Sequence, residues 1–200
     1  AANESHRCLD CVDPTCITGC PVEINIPKFI KNIERGEFLE AAKTLKETSA
    51  LPAVCGRVCP QERQCESQCF YTLKLKKEPV AIGHLERFAA DYERMSGNIS
   101  IPETAPTNGI KIAVVGSGPA GLAFAGDMVK LGYDVTVFEA LHELGGVLRY
   151  GIPEFRLPNE IVDIEIDGLK KMGVKFVTNC IVGKTISQED LKAEGFKGIF

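Results

Sequence analysis

The chain has 200 residues, enough for one large or two small domains. Hydrophobic residues make up 44% and charged residues 25%, an ordinary globular composition, and a net charge of −4 with no basic stripe argues against a nucleic-acid partner. No apolar run approaches the length of a membrane span, and no charged segment leads into an apolar one as in a signal peptide.

The first residues, Ala1-Ala2-Asn3, lack a Met, so the native start is expected upstream. Residues 1–25 carry Cys8, Cys11, Cys16 and Cys20 with little periodicity and read as loop. Pro27 suits the first turn of a helix, along which Phe29, Ile30 and Ile33 recur at helical spacing until Gly36 stops the run. A second helix is expected from about Glu37, with Phe38, Ala41, Ala42 and Leu45 on one face. Residues 52–72 read as irregular and Cys-rich. Pro79 opens a longer helix whose stripe is Ile82, Leu85, Phe88 and Tyr92. The stretch 96–109 is rich in Ser, Pro, Asn and Gly and reads as a linker. The expected organisation is a helical domain over 1–95, the linker 96–109, and a second domain over 110–200.

That second domain opens with an apolar strand, Ile110–Val115, followed by a Gly-rich turn, a helix, and a strand at Asp134–Phe138. Pro158–Met172 reads as a helix and Val174–Val177 as a strand. Ser187 with Asp190 resembles a capping box. The last residues, Gly198-Ile199-Phe200, read as a buried strand with no closing turn, so residues 1–200 are expected to be a fragment of a longer polypeptide.

Of nine cysteines, eight lie between Cys8 and Cys69. Such density means a disulfide framework or a metal framework, and the secretory context that favours disulfides is missing. The first group runs C-x2-C-x4-C-x3-C-P and ends at Cys20-Pro21. The second contains Cys55, Cys59-Pro60, Cys65 and Cys69. Zinc usually takes C-x2-C pairs separated by a longer gap, often with His, and neither His6 nor His84 stands at ligand spacing. Closely spaced thiolates ending in Cys-Pro fit a ferredoxin-like pair of [4Fe-4S] clusters, in which the last Cys of each run serves the other cluster. That rule assigns Cys8, Cys11, Cys16 and Cys69 to one cluster and Cys20, Cys59 and Cys65 to the other. One position stays open, and Cys55 is the nearest remaining thiol. Cys180 stands alone and is expected to be an inert buried thiol.

Gly116-Ser117-Gly118-Pro119-Ala120-Gly121 is a G-x-G-x-x-G that follows an apolar strand, opens a helix, and is answered by Glu139 at the end of the next strand. The complete context makes it a dinucleotide fingerprint. Gly116 permits the tight turn, Gly118 lets a pyrophosphate reach the backbone, and Gly121 lets helix and strand pack. The helix start offers unpaired N–H groups to phosphate. Glu139 is expected to accept hydrogen bonds from ribose hydroxyls. Gly145-Gly146 suggests a second close backbone approach to a long cofactor, or simply a turn.

With these residues in place, the chain resembles a known family over nearly its whole length. GSGPAG (116–121), FEA (138–140), GGVLRYGIPEFRLP (145–158) and CGRVCPQERQCE (55–66) resemble the small (β) subunit of glutamate synthase. They are also similar to the N-terminal region of dihydropyrimidine dehydrogenase and to the large subunit of NADH-dependent ferredoxin:NADP oxidoreductases. The resemblance implies a helical two-cluster iron–sulfur domain followed by a truncated α/β Rossmann-like FAD-binding domain. It implies NAD(P)H bound in a downstream domain that these residues do not include. It extends the cofactor-binding set to Leu148, Arg149, Gly151, Ile152 and Pro153. It also fills the open cluster position with Glu86 and leaves Cys55 unligated, whereas periodicity alone puts Glu86 at the solvated edge of its stripe.

The expected function is the electron-transferring part of a cytoplasmic NAD(P)H-dependent flavoprotein. Its expected partner is the glutamate synthase large subunit or a similar subunit, and neither nucleic acid nor membrane is expected as a partner. Because cofactors carry such chemistry, no side chain is singled out as catalytic. The rival expectation is a non-catalytic iron–sulfur docking module of a related ferredoxin:NADP or pyrimidine-reducing enzyme.

Overall fold

A computed structural model describes residues 1–200 and divides them into two compact units, Ala1–Ser100 and Ile101–Phe200. The first unit is all helical. Two short helices, α1 (Ala2–Ser5) and α2 (Thr15–Thr18), interrupt the region expected to be loop. At four residues each they are too short to show a period. Helix α3 (Ile26–Glu34) begins where the Asn25 side chain accepts a hydrogen bond from Lys28 N–H, and it carries Pro27 in its first turn. It ends at Gly36, whose φ of +79° lies in the left-handed region that glycine reaches at little cost. Helix α4 (Phe38–Lys46) packs back on it, and a buried Asn32–Thr44 hydrogen bond ties the two at 3.1 Å.

The region expected to be irregular contains a further helix, α5 (Pro52–Val58), then a 3-10 turn at Gln61–Arg63 and a π turn at Tyr71–Leu75. Helix α6 (Ile82–Ser96) starts three residues later than Pro79 implies, because the Val80 carbonyl already accepts from Ile82 N–H. Phe29, Ile30, Ile33, Leu45 and Leu85 are fully enclosed in the core of this unit, each contributing about 2 kcal/mol by burial. Tyr92, expected in the stripe, is exposed. Its ring packs edge-on against Phe38, 4.8 Å between centroids. Ile82 and Leu85 face inward as expected, and Gly83, Glu86, Ala89, Ala90 and Glu93 join them.

The second unit is a parallel four-stranded sheet in the order β3-β2-β1-β4, with β1 at Lys111–Val115, β2 at Asp134–Phe138, β3 at Lys175–Val177 and β4 at Phe196–Ile199. Helix α7 (Pro119–Lys130) joins β1 to β2, which pair in parallel with Ala113 opposite Thr136. After β2 come a short helix α8 (Val147–Tyr150) and a long one, α9 (Asn159–Met172). The last helix, α10 (Gln188–Ala193), carries the expected capping box between Ser187 and Asp190. The final strand departs from expectation. Phe196 is buried, but Ile199 and Phe200 are 39% and 52% exposed, because β4 lies at the edge of the sheet. In the stretch read as linker, Ala105 N–H and Asn108 N–H donate to the Lys130 and Gly132 carbonyls, so its second half packs on the sheet unit.

The chain steps outward from β1 through β2 to β3 and then returns to the other side of β1 for β4. The sheet therefore reverses direction at β1, and such a switch point is where open α/β sheets bind ligands, beyond the strand C-termini. Gly116 follows directly on β1 at that place.

Candidate functional site

All nine cysteines are free thiols. Cys8, Cys11, Cys16 and Cys69 line one cavity, whose remaining wall includes Ile26, Ile30, Val80 and Ile82. Residues far apart in sequence are brought there by specific contacts. The Thr15 hydroxyl donates to the Gln68 carbonyl at 2.6 Å, placing Cys16 beside Cys69. A Cβ on Gly19 would stand 2.7 Å from Gln68 Cγ and 3.1 Å from the Gln64 carbonyl, so the Cys20 and Cys65 segments approach as closely as a glycine allows. Burial and the neighbouring Cys69, Cys8 and Cys11 push the Cys16 thiol up to about 12. Burial likewise raises Cys8.

Around the second group, burial first and then the charges of Glu86, Glu66 and Cys20 push Cys65 up to about 12. Cys20, Cys65 and Glu86 are thus electrostatic neighbours. Glu86 is only 5% exposed, so the solvated position that periodicity gives it is corrected. The reason is the close approach of α5 to α6, where a Cβ on Gly56 would meet Arg87 N at 2.6 Å. Cys55 faces both Cys59 and Glu86. Its hydrogen bond to Cys59 and its burial raise the Cys55 thiol, and the same bond lowers Cys59.

Several thiolates packed side by side in apolar surroundings need a shared cation, because charge repulsion and desolvation both oppose their ionisation. Iron would supply that charge, and thiolates are the soft donors that clusters take. No group of three or more His, Cys, Asp or Glu is gathered closely enough to hold a single metal ion. The thiols of the first group instead ring a space. The residues fit an iron–sulfur group. Cys180 is half-buried beside Phe138, Leu191 and Phe196, with the Thr185 hydroxyl 3.6 Å from its sulfur.

In the sheet unit the four glycines near β1 serve different needs. Gly116 has φ +99°, which demands glycine. A Cβ on Gly121 would fall 2.1 Å from the Gly116 carbonyl oxygen, so helix α7 needs glycine to pack on its own entry loop. Gly146, at φ +52°, lies against that loop, and a Cβ there would stand 2.9 Å from Gly118 Cα. Gly118 differs from all three. Its φ is −68°, open to any residue, and a Cβ added to it meets no protein atom within 4 Å. Neither backbone nor packing calls for glycine there, so the open space over Gly118 fits a group that approaches the backbone from outside, as a pyrophosphate does. Pro119 and Ala120 form the exposed first turn of α7.

Glu139 is 6% exposed at the end of β2. Its Oε2 accepts Ser117 N–H at 2.8 Å and the Ser117 hydroxyl, and its Oε1 accepts Leu141 N–H at 2.9 Å. Burial pushes this carboxyl up, but the Ser117 and main-chain hydrogen bonds outweigh it and hold the group below the usual carboxylate range. Leu148 is buried. The Arg149 guanidinium is committed to the Leu144 carbonyl and to Asp163, which makes it a tie between α8 and α9. Gly151 and Pro153 are exposed, and Ile152 is half-buried. The fingerprint gave Ser117 no role because its position in the motif is variable, and nothing local in the sequence marks its partners.

A helical unit built around cysteines is thus followed by a Rossmann-like unit on a parallel sheet. Residues 1–98 match the family described as dihydropyrimidine dehydrogenase domain II, 4Fe-4S cluster, and residues 114–173 match the NAD(P)-binding Rossmann-like domain. The chain is 44% identical over 194 residues to the NAD-dependent dihydropyrimidine dehydrogenase subunit PreT of Escherichia coli K12, covering 97% of this chain and 46% of that one. It is 38% identical to the glutamate synthase [NADPH] small chain of the same organism, covering 97% and 41%. It is 41% identical to the glutamate synthase [NADH] of Saccharomyces cerevisiae, covering 96% and 9%. The chain spans less than half the length of these relatives. No helix is long and apolar enough to cross a membrane.

Proposed function

We propose that the chain is the electron-handling part of an NAD(P)H-dependent flavoprotein, holding two [4Fe-4S] clusters and the first part of an FAD site. The observation that carries this reading is the exchanged convergence of the thiols, with Cys69 joining Cys8, Cys11 and Cys16 while Cys20 joins Cys65. We assign Cys8, Cys11, Cys16 and Cys69 to one cluster and Cys20, Cys59, Cys65 and Glu86 to the other. FAD is assigned to Gly116, Gly118, Pro119, Ala120, Gly121 and Glu139, with the turn at Gly145-Gly146 as a second wall. Segment 148–153 flanks that wall.

Flavin supplies the change from a two-electron hydride donor to one-electron carriers when it is bound. The chain's own residues bind and orient. Gly118 leaves room for phosphate, Glu139 offers its carboxylate to ribose, and the apolar wall of Ile26, Ile30, Val80 and Ile82 keeps water from the first cluster. Electrons then pass to a partner subunit. Glutamate synthesis from glutamine and 2-oxoglutarate is the parental reaction that the sequence resemblance implies. The higher identity to PreT, 44% against 38%, favours pyrimidine reduction as a second reading. A cytoplasmic setting is the one that suits unpaired thiols and an iron–sulfur group.

The test is the visible spectrum of the purified chain after anaerobic reconstitution with iron, sulfide and FAD. Flavin bands superimposed on broad iron–sulfur absorption are expected. A protein that stays colourless would overturn both cofactor assignments.

A further inference from the structure

Ser117 occupies the variable second position of the fingerprint, yet the fold makes it a junction. It is fully enclosed, with 0% exposure. A hydroxyl has one proton to give and two lone pairs to offer. The proton goes to Glu139 Oε2, and a lone pair accepts Gly145 N–H at 3.0 Å. The Ser117 N–H adds a second bond to the same Oε2 at 2.8 Å. One side chain thereby joins the loop after β1, the carboxylate at the end of β2 and the turn at Gly145-Gly146. That turn is pressed on the loop at Gly146, where a Cβ would meet Gly118 Cα. Two walls around the open space over Gly118 are set by one hydroxyl.

We propose that Ser117 is a positioning residue for the bound dinucleotide, holding the Gly145-Gly146 turn and the Glu139 carboxylate against the phosphate loop as a preformed cradle. The inference rests on the FAD reading above. Without the hydroxyl, Gly145 N–H is left buried with no acceptor, and Glu139 loses a charge-assisted bond. Both effects loosen the turn, so binding must then order it. Gly118 contributes only room, and Gly121 only packing, so neither substitutes for this tie.

The full 200-residue chain is titrated with FAD by flavin fluorescence, as wild type and as Ser117→Ala, with amide exchange followed at Gly145. Ser117→Ala is expected to bind FAD about tenfold more weakly, the worth of one buried hydrogen bond. Its Gly145 amide should exchange faster than in the wild type, both without FAD and at saturating FAD. Gly118→Val provides the contrast, losing FAD while keeping wild-type exchange at Gly145. If Ser117→Ala does not fold, Ser117→Cys, whose sulfur is a weak donor and acceptor, carries the same comparison. Binding within twofold of wild type, or unchanged exchange at Gly145, would overturn the proposal. A wild-type chain that takes NAD+ and rejects FAD would instead overturn the FAD reading, and the Ser117 comparison is then made with NAD+.

Discussion

Gly118→Val is expected to abolish FAD binding while leaving the iron–sulfur content and the fold intact. The expectation follows from the contrast among the glycines of the site. A side chain at Gly121 or Gly146 would strike backbone atoms at 2.1 and 2.9 Å, so substitution there damages the fold as well as the site. Gly118 has an ordinary backbone conformation and open space before it, so valine is accommodated by the protein alone. The valine methyl groups then occupy the place a pyrophosphate needs against the backbone. Losing close contact with the N–H groups at the start of α7 removes several hydrogen bonds at once, about 3 kcal/mol or more and hence a loss of roughly a hundredfold or greater in affinity. Flavin content per chain and the thermal midpoint of the variant check this together. Normal flavin content would contradict it, and a collapsed midpoint would show that Gly118 is structural after all.

The second large effect separates Glu86 from Cys55. Glu86→Ala is expected to remove one cluster, while Cys55→Ser should keep both. Two observations support this assignment. Glu86 is buried on α6 facing Cys65 and Cys55, not on the solvated edge. Cys55 neighbours Cys59 and lies 4.0 Å from the Ser49 hydroxyl, a place from which a thiol can tune a cluster without holding it. Serine keeps a donor there, so Cys55→Ser preserves the role. A carboxylate ligand is harder than thiolate, and the cluster it serves should differ in potential from the all-Cys one. Iron content and electron paramagnetic resonance of the two variants decide the matter. A lost cluster signal in Cys55→Ser beside a normal Glu86→Ala would reverse the assignment.

Much of this was legible in the sequence because it is local. Helices α3 and α4 announce themselves through Phe29, Ile30, Ile33, Ala41 and Leu45, whose spacing matches one buried face. Strand β2 falls at Asp134–Phe138, where the apolar run places it, and the Ser187–Asp190 box is a contact three residues long. Helix α5 was not legible. It has seven residues with Gly56 in the middle, and its stability comes from packing on α6, which a sequence window does not contain. The burial of Glu86 escaped for the same reason, since it depends on how closely α5 approaches. Ser117 was missed because its partners lie 22 and 28 residues away. Arg149 shows the converse. The segment resemblance offers it to the cofactor, while the fold spends its guanidinium on Leu144 and Asp163.

The central claim is that the doubled cysteine group builds two clusters, and the direct measurement is iron and acid-labile sulfide per chain after anaerobic reconstitution. The two-cluster ligand count predicts about eight of each, with no zinc retained. Four iron per chain would leave one thiol group without a cluster, and stoichiometric zinc in place of iron would contradict the assignment altogether.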